Sequence, residues 1–381
     1  MSDTMTALER FLAVMEYQPL DRVPNWELGV WPQTRDRWEV EAPETLHYHW
    51  DWFAGESALG MDPKEFIRFV DGPVPRAEEE TLEEDERTIT FRDGLGRVRK
   101  ALKEGTRQGG RMSMDTYISF PIRNMADWRE MKKRYEISPC RYEPNWPVTR
   151  LAGWRQRQHP LIFGQNCSTL GFYWFARDMM GTEGLSYAFF DQPDLVHDIM
   201  EFHADYLIEA ARPVLANASM AQTDVEYVCF NEDLAMKTGP LLSPKAYRTF
   251  ILPRLRRVVE FYKGHGTRYI AIDSDGNPEA LVPMMMDAGV DILWPLERAA
   301  DQDPVRLRRE FGKSLRLWGG VDKRVLAGGP EAIYAHLRAL APLVAEGGYI
   351  PAVDHTVPPD VSWPNFRHYM ESKAKLLRGE L

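Results

Sequence analysis

The sequence contains few cysteines, no excess of basic residues and no long apolar run. Three of its 381 residues are cysteine, Cys140, Cys167 and Cys229, and their wide spacing forms neither a metal-ligand pattern nor a complete disulfide framework. The formal net charge of −10 argues against nonspecific binding to nucleic acid or an anionic membrane. Without an apolar run of about eighteen residues, no transmembrane helix is expected. The N-terminus does not resemble a signal peptide, so a reducing cytoplasm is the expected compartment.

Polar or charged clusters follow five short apolar runs in the second half of the chain. An apolar run of about four to eight residues that stops at a charge is typical of a parallel strand buried on both faces. Because enzymes built from strand–loop–helix units collect their chemistry at the carboxyl ends of the strands, the clusters predict one shared pocket. The clusters are Asn231-Glu232-Asp233, Asp273-Ser274-Asp275-Gly276, Glu297-Arg298, Gly320-Val321-Asp322-Lys323 and Asp354-His355.

The pattern predicts an α/β fold, a (β/α)8 TIM barrel with an N-terminal helical segment, as a single domain over residues 1–381. A small β-hairpin insertion is expected as a flap at 76–101, because Asp93-Gly94 lies between two alternating runs. Helices are expected at 3–17, 194–215, 244–265 and 330–346. The eight predicted strands are 23–28, 116–121, 161–165, 225–230, 268–272, 291–295, 315–319 and 348–353.

Asp273, Asp275 and His355 are the main catalytic candidates. The two aspartates alternate by two, so both carboxylates are expected on one side of a strand end. The alternative is that Asp275 caps a turn and Asn277 caps the next helix. His355 follows the last predicted strand and precedes two prolines. That placement suits a general acid–base or a metal ligand, although a structural hydrogen bond to a loop carbonyl gives the same pattern.

Two further clusters have open interpretations. Asp322 and Lys323 follow two glycines and are candidate substrate-binding residues for an anionic group, or else solvated charges of a turn. In the Asn231-Glu232-Asp233 cluster, Asn231 is a candidate substrate ligand and Glu232 a candidate catalytic carboxylate. A helix cap is the alternative for this cluster.

Aromatic residues are concentrated near the predicted mouth of the barrel. There they would form an apolar pocket with a few polar anchors, although a tryptophan stripe is more often part of the core. Tyr173 is a catalytic candidate that would orient the substrate. The residues assigned to substrate binding are Trp26, Trp31, Trp294 and Trp318.

Several segments resemble the uroporphyrinogen decarboxylase superfamily, which includes the decarboxylase and the cobalamin-linked methyltransferases that share its barrel. The resemblance covers most of the chain and implies the barrel fold, but it is not specific for one activity. The segments are Leu20-Asp21-Arg22-Val23-Pro24, Asp191-Gln192-Pro193-Asp194-Leu195-Val196, Thr238-Gly239-Pro240-Leu241-Leu242-Ser243-Pro244, Gly319-Gly320-Val321-Asp322 and the spacing of His355, Pro359 and Asn365.

The chain departs from the decarboxylase at the loop after Pro24-Asn25-Trp26. In the decarboxylase this loop carries arginines that grip substrate carboxylates, whereas Gly29 and Gln33 stand at those positions here. Arg35 and Arg37 lie close by and could compensate in part. Charge-assisted pairs to several carboxylates are otherwise missing, so uroporphyrinogen is not the expected substrate.

The chain also departs from the thiol-methylating relatives, which hold zinc through a His-x-Cys pair and a later cysteine. Asp273, Asp275 and His355 match those three positions. The resemblance therefore implies either a divalent metal, such as zinc, held by two carboxylates and one imidazole, or proton chemistry without the metal. His355 also matches the C-terminal histidine of the decarboxylase.

The leading hypothesis is a methyltransferase that passes a methyl group from a small, possibly aromatic, methylated compound to a corrinoid protein. Asp273, Asp275 and His355 would polarise or protonate the leaving heteroatom. One alternative is a decarboxylase acting on a porphyrinogen-like or other aromatic carboxylate, and a second is a ligand-binding barrel without catalysis. A homodimer is also expected.

Overall fold

A computed structural model of the protein describes residues 4–48, 57–67, 69–104, 114–143, 145–164 and 171–381. The α-helices of these residues are α1 (Ala7–Met15), α2 (Pro32–Glu41), α3 (Met125–Lys132), α4 (Trp146–Gln156), α5 (Phe172–Met180), α6 (Thr182–Asp191), α7 (Pro193–Met220), α8 (Pro244–Ala246), α9 (Leu252–Gly264), α10 (Val282–Asp287), α11 (Pro304–Phe311), α12 (Lys323–Ala327), α13 (Pro330–Glu346) and α14 (Trp363–Leu377). Short 3-10 helices lie at Pro43–His47, Ser57–Leu59, Lys133–Tyr135, Pro139–Arg141, Glu279–Leu281, Arg298–Ala300 and Gly312–Ser314, and a π-helical turn lies at Tyr247–Ile251. Within this part of the chain, no helix is both long enough and apolar enough to cross a bilayer.

The strands are β1 (Glu65–Ile67), β2 (Glu80–Glu84), β3 (Thr88–Arg92), β4 (Val98–Leu102), β5 (Thr116–Ser119), β6 (Leu161–Gly164), β7 (Val225–Asn231), β8 (Ala235–Met236), β9 (Gly239–Pro240), β10 (Thr267–Asp273), β11 (Ile292–Trp294), β12 (Arg316–Val321) and β13 (Tyr349–Val353). The last residue of the predicted strand 161–165, and Cys167, lie outside the described residues.

Local sequence signals set the starts of several helices. Thr6 caps α1, because its hydroxyl accepts a hydrogen bond from the Glu9 amide at 3.1 Å while the Glu9 carboxylate accepts one from the Thr6 amide at 2.7 Å. Ser362 caps α14 in the same sense by accepting from the Asn365 amide at 3.3 Å. Proline in the first turn of α7, α13 and α14 suits positions where no intrahelical donor is needed.

Seven parallel strands of the described residues form one sheet, in the order β1, β6, β7, β10, β11, β12 and β13. Strand β7 is buried along its whole length, as expected for a strand covered on both faces. The predicted TIM-barrel fold is confirmed, and β6, β7 and β10 to β13 coincide with predicted strands. The carboxyl ends of these strands therefore meet at one end of the barrel.

Residues 23–30 take the place of the remaining barrel strand, between β13 and β1. On one side, the Asp62 amide donates a hydrogen bond to the Asn25 carbonyl at 3.0 Å. On the other side, the Val357 amide donates to the Gly29 carbonyl at 3.0 Å, and Val30 forms an isolated parallel bridge with Val357. The predicted first strand is thus an extended segment held by a few hydrogen bonds rather than a regular ladder.

The prediction that residues 116–121 form the second barrel strand is wrong. Strand β5 pairs antiparallel with β4 in a separate sheet, while the second barrel position belongs to β1, which pairs with β6. Strand β1 is only three residues long, too short for its alternation to be visible in sequence. The expected hairpin is present as β3 and β4. We call the antiparallel sheet of β2, β3, β4 and β5 the flap. The single-domain assignment of residues 1–381 stays a prediction.

A buried ion pair holds residues 23–30 against the last strand and the last helix. Glu27 Oε1 lies 2.5 Å from Lys373 Nζ, and both side chains are buried. The same oxygen accepts a hydrogen bond from the Tyr369 hydroxyl at 2.5 Å, and Oε2 accepts one from the Val353 amide at 2.9 Å. Lys373 also donates to the Trp26 carbonyl at 2.8 Å. Both charges are therefore compensated, which a buried pair requires.

A second lysine enters the barrel without such a partner. Lys64 directly precedes β1, and its Nζ is buried with no hydrogen-bond partner in the described chain. It lies 4.8 Å from the ring centroid of Trp26 and 5.1 Å from that of Trp318. Burial, which penalises the ammonium form, lowers the pKa of Lys64 well below its ordinary value, although the charge of Glu27 opposes this.

Replacing these two lysines by methionine is expected to change the free energy of unfolding in opposite directions. Lys373→Met leaves Glu27 buried without its counter-charge, which should lower stability by roughly 3–5 kcal/mol. Lys64→Met removes a buried polar group without a hydrogen bond, which should raise stability by roughly 1–3 kcal/mol. Each variant is the control for the other, and urea unfolding measures both. Two shifts of the same sign would contradict this account of the barrel interior.

Candidate active site

A cavity of about 1050 Å³ opens at the carboxyl ends of the barrel strands, between the barrel and the flap. It contains the ends of β7 and β10, the residue that follows Asp354, one face of α5 and the inner face of β3 and β4. The polar, charged and aromatic residues on its described wall include Asp71, Tyr117, Tyr135, Trp174, Phe175, Asp178, Asn231, Asp233, Asp273, Asp275, Trp294, His355 and the arginines Arg76, Arg97, Arg99 and Arg177.

The structure brings Asp273, Asp275 and His355 to this one cavity, as the sequence predicted. His355 Nε2 lies 3.2 Å from Asp275 Oδ2. On the other side of the ring, Nδ1 lies 2.8 Å from the Thr356 hydroxyl, which accepts a hydrogen bond from Trp31 Nε1 at 2.6 Å. The imidazole is therefore held at both nitrogens. Trp31, predicted to bind substrate, is not among the described residues that line the cavity and instead supports His355 through Thr356.

Opposing influences act on the pKa of His355. Burial is the largest influence and favours the neutral ring, but the hydrogen bond to Asp275 and its negative charge together outweigh burial and raise the pKa above the ordinary value. Lys323 opposes this rise, and Glu297 adds to it. The imidazolium form therefore persists to higher pH than in an isolated histidine, which suits a proton donor at neutral pH.

Carboxylates are crowded next to this histidine. Burial, followed by the negative charges of Asp275 and Asp233, raises the pKa of Asp273 well above its ordinary value. Burial and the charge of Asp275 also raise the pKa of Asp233, against the attraction of Arg177. Arg177 lies 3.3 Å from Asp233 Oδ2. The site therefore favours a neutral carboxyl at Asp273.

The sequence predicted a catalytic carboxylate at Glu232, but Asp233 is the acidic residue of this cluster that lines the cavity. Glu232 is fully buried, and its carboxylate accepts hydrogen bonds from the Phe172 and Tyr173 amides at 2.9 and 2.8 Å, so it caps α5. A side chain at Gly171 would collide with this carboxylate, since a Cβ there would lie 2.2 Å from Glu232 Cδ. The helix-cap alternative holds for Glu232, whereas Asp233 reaches the cavity with a left-handed backbone, φ 45°.

Tyr173 lies beside this cap and is not among the described residues on the cavity wall. Its hydroxyl is buried without a hydrogen-bond partner in the described part of the chain. Burial raises the pKa of Tyr173 to about 12. The structure therefore does not bring Tyr173 or Glu232 together with His355, whereas Asn231 and Asp233 line the cavity with it.

Asp322 and Lys323 belong to a network behind the cavity. Asp322 caps α12 by accepting from the Arg324 amide at 2.9 Å and also pairs with the Arg324 side chain. Lys323 Nζ lies 3.3 Å from Glu297, and its amide donates to Asp354. The glycines were predicted to allow close approach of the backbone to a ligand, but Gly319 packs against the protein itself. A Cβ at Gly319 would lie 1.9 Å from the Pro295 carbonyl oxygen. Neither charge faces the described cavity.

The predicted tryptophan wall divides into two groups. Trp294 lines the cavity, and its ring stacks on Trp318 with centroids 4.6 Å apart. Trp318 in turn packs against Trp26 at 5.7 Å, and both lie in the barrel interior with Lys64. Trp26 and Trp318 therefore belong to the core beneath the cavity rather than to its described wall.

The flap and α5 contribute residues that the sequence interpretation missed. Arg97 Nη1 lies 2.5 Å from Asp178 Oδ1, and Arg97 Nε lies 2.8 Å from Asp93. Trp174 donates to the other oxygen of Asp178 at 3.2 Å. Two signals were present: Trp174 and Asp178 are four residues apart on one helix face, and Arg97 and Arg99 alternate by two. Neither signal predicts that the flap packs against α5.

The predicted metal site at Asp273, Asp275 and His355 does not fit the geometry. Among the residues described, no group of three or more histidine, cysteine, aspartate or glutamate side chains is arranged to hold a metal ion. His355 Nε2 and Asp275 Oδ2 instead lie 3.2 Å apart, within reach of a hydrogen bond to each other. Proton transfer is the chemistry that this arrangement suits.

Comparisons with known proteins agree with the fold. A family model described as uroporphyrinogen decarboxylase (URO-D) matches residues 173–376, more than half of the chain. The chain belongs to the uroporphyrinogen decarboxylase family. The matched region contains the strand ends that carry Asp273, Asp275 and His355, but not the flap.

Similarity to individual proteins is weak. The uroporphyrinogen decarboxylase of Gloeobacter violaceus is 24% identical over 197 residues, 49% of this chain and 50% of that protein. The uroporphyrinogen decarboxylase of Crocosphaera subtropica is 25% identical over 192 residues, 49% of each chain. The chain spans about half the length of the curated relatives it matches. A solved methyltransferase from Methanosarcina mazei has a TM-score of 0.59 at 14% identity, with coverage of 97% of this chain and 99% of that chain, a likeness of fold alone.

Asp275→Asn is expected to lower the pKa of His355, because it removes the negative charge and weakens the hydrogen bond that raise it. The measurement is an NMR titration of the imidazole ring protons, with His355→Gln assigning the resonance. Asp287→Asn, at an exposed aspartate paired with Arg256, is the matched control and should leave the titration unchanged. An unaltered His355 titration in Asp275→Asn would show that Asp275 does not stabilise the imidazolium.

Proposed function

We propose that this protein is a methyltransferase that takes a methyl group from a small methylated compound and passes it to a corrinoid carried by a partner protein. The observation that supports this most directly is the contact of 3.2 Å between His355 and Asp275 in a cavity at the strand ends. A methyl group bonded to oxygen or nitrogen leaves poorly unless the heteroatom is protonated. An acid held in place, with its pKa raised, meets that requirement.

In the proposed step, the bond between the methyl carbon and the heteroatom breaks, the heteroatom keeps the electron pair, and the proton of His355 Nε2 moves to it. Asp275 orients the imidazolium and stabilises its charge before transfer. Asp273, in its neutral form, donates a hydrogen bond to the leaving heteroatom instead of repelling its electrons. The corrinoid supplies the nucleophile that accepts the methyl group. Asn231 and Trp294, on the same wall, are the proposed substrate contacts.

The charges on the cavity wall favour a substrate without several carboxylates. Every arginine among the described wall residues already faces a carboxylate. The pairs are Arg76–Glu79 at 3.6 Å, Arg97–Asp93 at 2.8 Å, Arg97–Asp178 at 2.5 Å, Arg99–Asp93 at 3.3 Å, Arg99–Asp115 at 3.4 Å and Arg177–Asp233 at 3.3 Å. A polycarboxylate would have to break these pairs, whereas the aromatic wall suits a neutral or aromatic molecule.

Decarboxylation is the alternative, since the curated relatives are named as uroporphyrinogen decarboxylases. In that reaction His355 would protonate the carbon from which carbon dioxide leaves, and an ionised aspartate would stabilise a transient cation. The paired arginines argue against a porphyrinogen with many carboxylates, and release of carbon dioxide from uroporphyrinogen tests this directly. The homodimer and the cytoplasmic compartment stay predictions.

His355→Gln is expected to lower the rate of methyl transfer by roughly 10²- to 10⁴-fold, the range for loss of a positioned acid. The assay uses the purified protein, free cob(I)alamin in place of the partner protein, and a panel of methoxybenzenes and N-methylated amines, with methylcobalamin followed by its visible spectrum. The wild-type rate should fall as the pH rises through the pKa of His355, because the donated proton is then lost.

His265→Gln is the control, since His265 is an exposed histidine bonded to the Phe261 carbonyl and distant from the described cavity wall. It should leave the rate unchanged. An undiminished rate in His355→Gln would remove the proposed acid. Carbon dioxide release from uroporphyrinogen, with no methylcobalamin from any compound of the panel, would replace the methyltransferase by the decarboxylase.

A further inference from the structure

The cavity has a second polar region, away from His355, around Asp71. This residue lies in the segment that follows β1, and it lines the same cavity as His355 and Asp275. Its Oδ2 is buried and has no hydrogen-bond partner in the described chain. A buried carboxylate oxygen left without a hydrogen-bond donor destabilises a folded protein. The defect has a simple explanation if a ligand supplies the missing donor.

The surroundings of Asp71 fix its backbone but leave one carboxylate oxygen, Oδ2, without a hydrogen-bond donor in the described chain. Arg141 donates to the Val70 and Gly72 carbonyls on either side of Asp71, at 2.7 Å each, and the Tyr206 hydroxyl donates to the Asp71 carbonyl at 3.1 Å. These bonds fix the backbone on both sides of Asp71, which lines the cavity. Arg97, the nearest cation of the flap on this wall, is already committed to Asp178 and Asp93.

The charges and rings facing Asp71 favour a cation. Burial, followed by the negative charge of Asp178, raises the pKa of Asp71 to about 7, while Arg141 acts in the opposite direction. Tyr135 also faces this carboxylate, and its ring packs edge-on against Phe175 at 5.4 Å. Both rings line the cavity. A buried carboxylate beside aromatic rings is an arrangement that binds organic ammonium groups.

We propose that Asp71, with Asp178, Tyr135 and Phe175, forms an ammonium subsite that binds a protonated amine of the substrate at the end remote from His355. The assignment of this subsite to the substrate rests on the proposed function, whereas the binding of an ammonium group at this place does not. A bound ammonium would donate to Asp71 Oδ2 and add a positive charge between the Asp71 and Asp178 carboxylates. The subsite would therefore select aminated substrates over neutral ones of the same shape.

The test is direct binding of three ring compounds that differ only in one group, measured by calorimetry on the full chain. Benzylamine carries the ammonium, benzyl alcohol carries a neutral donor, and benzoate carries a negative charge. We expect wild-type protein to bind benzylamine about 10- to 100-fold more tightly than benzyl alcohol and not to bind benzoate measurably. Affinity for benzylamine should rise as the pH increases through about 7, because Asp71 must be ionised.

Asp71→Asn keeps the shape of the side chain, removes its charge and should abolish the preference for benzylamine and its pH dependence. Asp287→Asn, at an exposed aspartate, should change neither. The circular dichroism and unfolding midpoint of Asp71→Asn establish that the variant is folded, and Asp71→Glu, which keeps the charge, should retain part of the preference. Equal binding of benzyl alcohol and benzylamine, or a preference that survives in Asp71→Asn, would overturn the ammonium subsite.

The outcomes separate this inference from the proposed function. Methyl transfer that depends on His355, together with benzylamine binding indifferent to Asp71, would reject the subsite and leave the methyltransferase proposal standing. Benzylamine binding that requires Asp71, in a protein that forms no methylcobalamin, would retain the subsite and reject the methyltransferase. Binding does not use the acid at His355, so His355→Gln should bind benzylamine as the wild type does.

Discussion

The buried pair of Glu27 and Lys373 is the interaction on which the rest of the structure depends. It joins residues 23–30, which complete the barrel, to α14 and to the end of β13. The Val353 amide donates a hydrogen bond to Glu27 and lies two positions before His355, so the contact that closes the barrel also fixes the strand end that carries His355. Trp31, at the other end of the same segment, reaches His355 through Thr356. The segment that lacks a regular ladder thus positions the site through side chains.

The chemistry proposed for the cavity follows from crowding carboxylates in a buried place. Burial and neighbouring charges raise the pKa values of Asp233, Asp273 and Asp71, and the groups around each carboxylate decide its environment. Asp275 lies 3.2 Å from His355, and Asp233 lies 3.3 Å from Arg177. Asp71 lines the same cavity, and its Oδ2 has no hydrogen-bond partner in the described chain.

The flap forms one wall of the cavity at the mouth of the barrel. Its Arg97 pairs with Asp178 of α5, and its Arg99 pairs with Asp93 and Asp115, so each of these arginines already faces a carboxylate. Under the proposed function, these pairs disfavour a substrate with many carboxylates. The match to the family covers residues 173–376, which include Asp273, Asp275 and His355 but not the flap.

The sequence by itself determined the barrel, most of its strands and the meeting of Asp273, Asp275 and His355, because buried parallel strands are continuous apolar runs whose carboxyl ends converge by topology. It also contained the caps of α1 and α14, which are local. Only the tertiary structure decided that Glu232 caps α5 while Asp233 faces the cavity, that β5 belongs to the flap, and that Trp26 and Trp318 are core. Neighbouring residues of one loop, such as Glu232 and Asp233, can contact different parts of the protein. Strands with a similar alternation of apolar and polar residues can likewise pair in different sheets. The pattern along the chain predicts the period of a helix or strand, whereas the packing of that element against other segments decides which of them it contacts.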